Sequence, residues 1–167
     1  THADQYSTNM AYAINAYSKG EVFMEQLGYI IGAEARDKVL LAYFNKWRYK
    51  HPNPTDFIRV AEDVSGLQLD WYRSFFVNTS KTIDYGIDSL WEEKGKMKIR
   101  LKNNGTMPMP LDIDLHFKDG SREQAYIPQY LMFGEKKNEE TSVKRTVSEP
   151  WKWTHPYFTF EIDRKLT

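Results

Sequence analysis

Apolar residues recur at helical spacing through the first half of the chain, from Ala13 to about Val77. Three runs carry this period: Phe23, Leu27, Ile30 and Ile31; then Val39, Leu40, Tyr43, Phe44 and Trp47; then Phe57, Val60, Ala61 and Val64. The spacing predicts three amphipathic helices. A short fourth helix, from about Leu69 to Phe76, is predicted to bury Trp71 and Phe75.

Residues typical of helix ends flank these runs. Gly32 follows the first run and Gly66 follows the third, as glycines at helix C termini do. Pro52 and Pro54 flank a turn before the third helix, and Thr55 is placed to cap its N terminus. We therefore expect helix boundaries near these residues.

Beyond Ser80 the helical period gives way to strict alternation. One run has Met97, Ile99 and Leu101 at every second position, and another has Leu111, Ile113, Leu115 and Phe117. Lysine and arginine fill the intervening positions of the first run, and aspartate and histidine those of the second. The pattern predicts half-buried antiparallel strands.

Glycine-containing segments separate the strands. Asn103-Asn104-Gly105 and the segment 118–121 contain residues that tolerate the positive φ of tight hairpins, which predicts a sandwich of short strands. A last alternating run, from Phe158 to Ile162, has no strand pattern after it, so a sandwich one strand short is allowed. The charged segment 136–145 is predicted to be a solvated connection.

Composition narrows the function classes. The 167 residues are 41% apolar and 15% aromatic, which is enough for a core in one domain or two small ones. Lysine and arginine number 23 and so do aspartate and glutamate, so nothing points to nucleic acid or an anionic membrane as partner. The absence of cysteine excludes disulfides, thiolate metal sites and a cysteine nucleophile.

The chain shows neither a membrane helix nor a leader pattern. No apolar run approaches the roughly 20 residues that a membrane helix needs. The first residues, Thr1-His2-Ala3-Asp4, include no initiator methionine and do not fit a signal peptide. We therefore expect the chain to begin inside a longer gene product.

Motifs that carry chemistry on their own are missing from the sequence. A zinc-peptidase helix needs two histidines one turn apart with a glutamate between them, and no such pair occurs. Serine-nucleophile elbows, phosphate-binding glycine loops and calcium loops are absent too. We expect all four histidines at the surface: His2, His51, His116 and His155.

Aromatic residues near the end of the chain allow two interpretations. Exposed rings stack on sugars, whereas rings at alternating positions of a sandwich fill its core. The core is the favoured interpretation for the four residues concerned, Trp151, Trp153, Tyr157 and Phe158.

Four segments, in order, resemble zinc peptidases of the aminopeptidase N family, the gluzincins, of bacterial type. Ala16-Tyr17-Ser18-Lys19-Gly20 resembles the family's Tyr-x-Lys-Gly segment, and 27–32 its following helix. The segments 47–57 and 62–72 resemble the family's next landmarks. Segment 62–72 resembles the start of its Ser-Gly-x-x-Leu-x-x-Phe helix. The resemblance covers about residues 11–80, with Glu21 standing where many members have a small residue.

The resemblance implies a catalytic role for Tyr17. Its phenol would donate a hydrogen bond to the oxyanion of the tetrahedral intermediate, which stabilises charge that exists only in the transition state. The alternative is that Tyr17 is an ordinary core-facing aromatic. Lys19 and Gly20 are interpreted as structural, a partly exposed cation and a close-packing position.

The family's zinc ligands lie upstream of the Tyr-x-Lys-Gly segment and would therefore precede Thr1. The resemblance implies an α+β chain in which 1–80 ends a thermolysin-like catalytic lobe and 81–167 forms an antiparallel immunoglobulin-like β-sandwich that serves as a scaffold. The longer parent would bind zinc, hydrolyse peptide substrates and be exported or periplasmic. The fragment, expected to be inactive and metal-free alone, would pack against the missing N-terminal part of the catalytic domain. The alternative is a non-catalytic module, either a pseudo-peptidase or a sandwich that binds glycan or protein.

Overall fold

The computed structural model describes residues 5–163. Helices fill the first part of the chain: α1 (Asn9–Ala13), a π-helical turn (Ile14–Ser18), α2 (Lys19–Ile31), α3 (Ala33–Trp47), α4 (Pro54–Ser65) and α5 (Asp70–Asn78). The three long helices and the short fourth helix of the sequence analysis are thus confirmed as α2 to α5. The π-helical turn was not predicted.

The strands follow in two three-stranded sheets. They are β1 (Tyr85–Glu93), β2 (Lys96–Asn103), β3 (Leu111–His116), β4 (Arg122–Ile127), β5 (Lys144–Val147) and β6 (Tyr157–Ile162). The sheet orders are β1-β2-β6 and β3-β4-β5. All pairs are antiparallel except β4 with β5, so the expectation of a purely antiparallel arrangement was wrong there. The α+β class is confirmed.

The described chain divides into two compact units between Ser65 and Gly66, so α5 belongs to the same unit as the strands. In the first unit α3 packs against α2 and α4. The Phe57 ring lies 6.1 Å from that of Phe23 and 5.0 Å from that of Tyr43. These contacts agree with the predicted apolar faces.

Helix α3 departs from its predicted burial. Val39 is fully buried, but Leu40 and Phe44 are exposed, and so is the neighbouring Leu41. The expectation that Leu40 and Phe44 lie in the core was wrong, because α3 is apolar on two sides and only one side meets its neighbours in this unit. Its outer side therefore presents an unusual number of aliphatic and aromatic side chains to solvent.

The N terminus of α4 is capped by a residue other than the predicted one. The Asn53 side chain accepts a hydrogen bond from the Asp56 amide at 3.1 Å, and Asp56 accepts one from the Asn53 amide at 2.9 Å. This reciprocal pair is a capping box, and Pro54 takes the first helical position, where its missing donor costs nothing. Thr55 lies inside the helix, so its prediction as the cap was wrong. The predicted glycine ends are confirmed by Gly32 and Gly66, both at positive φ.

In the second unit, alternating side chains of both sheets share one core. Its buried members are Ile99, Leu101, Leu115, Ala125, Ile127, Trp151 and Phe160. The half-buried Ile113 packs against them, so the predicted inward faces of β2 and β3 are confirmed. In α5, Trp71 is buried as predicted, and Tyr72 is buried too. Phe75, which was also predicted to be buried, is only half-buried.

Strand β1 was not predicted because a β-bulge hides its alternation. Asp88 has no opposite residue in the register of β2, since Ile87 pairs with Leu101 and Ser89 with Arg100. The extra residue brings Leu90 to the same side as Ile87 although they are an odd number of positions apart. Positive φ at the two residues between β1 and β2, Lys94 and Gly95, makes the connection a tight hairpin.

The two glycine turns behave differently. Gly120 has positive φ and closes the β3–β4 hairpin, as predicted. Gly105 has no positive φ, and β2 and β3 lie in different sheets, so the predicted hairpin at 103–105 was wrong. The segment instead hydrogen-bonds to the chain before β1, with the Gly105 amide donating to the Asp84 carbonyl at 2.9 Å.

We expect Gly105→Ala to destabilise the strand unit by about 1–3 kcal/mol, as overpacking does. An added Cβ would lie 2.6 Å from the Asp84 nitrogen and closer still to the Thr82 carbonyl oxygen. The matched change, Gly20→Ala, places a Cβ where, apart from its own helix backbone, no atom of residues 5–163 lies within 4 Å, and it should stabilise its helix by up to about 1 kcal/mol. Hydrogen exchange of the amides of each unit measures both effects separately, and a Gly105→Ala variant whose strand amides are as protected as in the wild type would contradict the prediction.

The segment 136–145 is only partly a solvated connection. Lys136 is 8% exposed and its ammonium lies 2.6 Å from the Asp112 carboxylate. Arg145, in β5, has its guanidinium 4.1 Å from the centre of the Tyr126 ring. Burial raises the pKa of that tyrosine to about 12. The prediction was therefore wrong for these two cations, because the Lys136 charge is paired with Asp112 and the Arg145 guanidinium lies over the Tyr126 ring.

None of the helices within residues 5–163 combines the length and apolar character that crossing a membrane requires.

Candidate functional site

Tyr17 lies in the π-helical turn that joins α1 to α2. The chain enters α1 at Thr8, whose hydroxyl accepts a hydrogen bond from the Ala11 amide at 3.1 Å. At the other end of the turn, the Lys19 amide donates to the Ile14 carbonyl, five residues back. A bond of this span widens the helix locally, and such turns are frequent at functional sites.

The side chain of Tyr17 points to solvent. Tyr17 is 69% exposed, and its phenol makes no hydrogen bond within residues 5–163. Its ring meets the edge of the Tyr12 ring, with centroids 6.2 Å apart and planes at 87°. The alternative that Tyr17 is a core-facing aromatic was therefore wrong.

The residues after Tyr17 begin α2. Lys19 and Gly20 are half-buried, and in the described part of the chain no atom beyond the helix's own backbone lies within 4 Å of the position that a Cβ on Gly20 would take. The expected close packing at Gly20 is therefore not found among residues 5–163. Glu21 is exposed in the first turn of the helix, where a carboxylate interacts favourably with the helix dipole.

Exposed apolar side chains are common in the helical unit. We define the apolar helical residues as those of α1 to α3 and the π-helical turn that are large, apolar and exposed: Met10, Tyr12, Ile14, Tyr17, Val22, Tyr29, Leu40, Leu41 and Phe44. Soluble monomers rarely leave so many exposed in a short stretch unless they serve an interaction.

The histidines do not form a site. His51, His116 and His155 are exposed, as predicted, and His2 lies outside the described residues. Across residues 5–163 no three histidine, aspartate or glutamate side chains are placed to hold a metal ion. The described part of the chain therefore does not fit a zinc centre.

The aromatic residues near the end of the chain do not form a common platform. Trp151 is buried and stacks on Phe158, with centroids 5.4 Å apart, so the core interpretation is confirmed for Trp151 and fits Phe158, which packs against the core cluster. Trp153 and Tyr157 are exposed, which that interpretation did not predict. A cleft of about 460 Å³ also opens between β1 and β3, and it is lined mainly by aliphatic side chains.

Two features of the Tyr17 region escaped the sequence patterns. The Tyr12–Tyr17 contact joins residues five positions apart, a spacing that does not bring side chains together on an α-helix. The side chain of Asn15, the second residue of the π-helical turn, donates to the Ala11 carbonyl at 2.8 Å. The ring contact follows no helical or strand period, and the hydrogen bond involves polar atoms at the ordinary helical spacing of four residues, so the pattern of apolar residues marked neither of them.

No family model matches the chain, and comparison with curated proteins finds no significant match.

Proposed function

We propose that this chain is part of a zinc aminopeptidase of the aminopeptidase N type, in which Tyr17 stabilises the oxyanion of peptide hydrolysis. The observation that carries the proposal is the exposed phenol of Tyr17 in the π-helical turn of a Tyr-x-Lys-Gly segment. An oxyanion donor must present an N–H or O–H group to the substrate, and the O–H of an exposed phenol can do so.

The metal would be bound upstream in the longer product, because residues 5–163 offer no ligand set. Bound zinc supplies polarisation of the scissile carbonyl. This chain would supply a single catalytic group, the phenol of Tyr17. The Tyr17 O–H donates to the oxygen of the scissile carbonyl, and this hydrogen bond strengthens as negative charge develops there.

The apolar helical residues support a role as one wall of a larger lobe. In the parent they would pack against the N-terminal part of the catalytic domain, which explains why Leu41 and Phe44 are exposed on α3. The strand unit has its own core, in which Trp151 is buried. In the parent it would serve as a scaffold of immunoglobulin-like type. Peptide substrate is the partner of the whole assembly.

Metal content and hydrolysis test the proposal. The chain of 167 residues alone should bind no stoichiometric zinc and cleave no aminoacyl substrate, since it lacks three suitably spaced ligands. The longer product with its upstream region should bind one zinc and release N-terminal residues from peptides. Inactivity of a folded, zinc-loaded longer product would contradict the proposal, as would one tightly held zinc in the short chain.

The second candidate is a non-catalytic module, and the cleft between β1 and β3 is the observation that favours it. Aliphatic side chains of Ile87, Leu90 and Ile113 line this cleft. The coding sequence upstream separates the two candidates. A His-Glu-x-x-His segment there supports the peptidase, whereas a decayed segment supports a pseudo-peptidase or binding module.

A further inference from the structure

We infer that Asn15 is the positioning residue of Tyr17: its side-chain amide fixes the π-helical turn, which brings the Tyr12 ring against Tyr17 and orients the phenol. The positioning of the ring concerns this chain alone. Its consequence for catalysis rests on the proposed function.

The first step is the hydrogen bonding at the start of the turn. In an α-helix the Ala11 carbonyl accepts from the backbone amide four residues on. Here it accepts from the side-chain amide of Asn15 at 2.8 Å and also from the Ile14 amide. A π register moves each backbone donor one residue along, so the Asn15 side chain supplies a donor where the register changes.

The second step is the geometry that the turn creates. Side chains five residues apart on an α-helix point about 140° apart around the axis, so an α-helical connection would separate Tyr12 from Tyr17. In the π-helical turn their rings meet edge to face at 6.2 Å. The Tyr6 ring in turn lies 6.4 Å from that of Tyr12. Tyr12 thus contacts a second ring as well.

The third step links the contact to the phenol. The Tyr17 phenol has no hydrogen bond within residues 5–163, so the edge contact with Tyr12 acts on a ring that no such bond holds in place. Edge-to-face pairs attract beyond the area that they bury, enough to favour one rotamer several-fold. Loss of the turn would remove this restriction and release the phenol to other orientations.

Asn15→Leu tests the inference in the chain itself, because leucine keeps the side-chain size and removes the donor. We expect loss of the nuclear Overhauser contacts between the Tyr12 and Tyr17 rings, with the circular dichroism of the helices retained. Asn15→Ser should keep them, since a serine hydroxyl reaches the carbonyl four residues back. The matched control is Asn45→Leu, at an exposed position of α3, which should also keep them.

Ring contacts that persist in Asn15→Leu would overturn the inference, whatever the function of Tyr17. In the longer, zinc-loaded product, Asn15→Leu should lower kcat roughly 10- to 100-fold with little change in KM, because a misplaced catalytic group slows the chemical step. If Tyr17→Phe lowers kcat but Asn15→Leu leaves it unchanged, the positioning role of Asn15 is overturned. If Tyr17→Phe is itself fully active, the proposed function fails, and the ring contacts alone decide the inference.

Discussion

Tyr17→Phe in the longer, zinc-loaded enzyme is expected to lower kcat by roughly 100- to 1,000-fold, or about 2.7–4 kcal/mol, the effect of removing one oxyanion donor. The change deletes one hydroxyl and keeps the ring. KM should move much less, because the ground-state carbonyl carries little charge. Steady-state kinetics on aminoacyl substrates gives both constants.

Stability serves as the control for this variant. Tyr17 is 69% exposed and its phenol has no hydrogen-bond partner within residues 5–163, so the free energy of unfolding should change by less than about 0.5 kcal/mol. Tyr12→Phe is the matched substitution, since it removes the hydroxyl of the neighbouring exposed ring while keeping the edge contact. A Tyr17→Phe enzyme with wild-type kcat would remove the only catalytic residue assigned to this chain.

The periodic features of the chain were predictable because they depend on neighbours along the sequence. Apolar and polar residues alternate without interruption in β2 and β3, so the alternation correctly predicted that Leu101 and Leu115 point into the core. Strand β1 did not, because the bulge at Asp88 shifts the phase of its apolar residues. A single unpaired residue therefore concealed a strand that forms the edge of a sheet.

Burial was less predictable than helix formation. The spacing of α3 identified a helix but could not tell which of its apolar sides meets a neighbour, and Phe44 proved exposed. The cap of α4 shows a similar ambiguity. Asn53 and Thr55 are both good capping residues, and the choice follows from Pro54 and the reciprocal bond with Asp56.

The candidate site was predictable only through resemblance. Tyr17 has no signal of its own in composition or spacing, and its exposure was not foreseen. The π-helical turn, which we infer to be fixed by the hydrogen bond from the Asn15 side chain to the Ala11 carbonyl, is not encoded in the period of the apolar residues. Geometry that decides where a phenol points therefore comes from a local exception to the helical pattern.

Trp151→Ala is expected to have the largest effect on stability, a loss of about 3–5 kcal/mol from the strand unit. Trp151 is 4% exposed and lies between the rings of Phe158 and Tyr85, each 5.4 Å away. Its indole N–H donates to the His155 carbonyl at 2.8 Å. Alanine removes these contacts and leaves a cavity that the two sheets cannot fill without moving.

The neighbouring tryptophan provides the matched control. Trp153 is 46% exposed and makes an edge contact with Phe75 at 6.2 Å, so Trp153→Ala should cost less than about 1 kcal/mol. Because the described chain contains two compact units, a single unfolding midpoint is not a safe measure. Hydrogen exchange of the amides of β2 and β6 reports on the strand unit alone. Equal losses of protection in the two variants would mean that Trp151 does not anchor the packing between the sheets, because burial would then add nothing to what an exposed indole contributes.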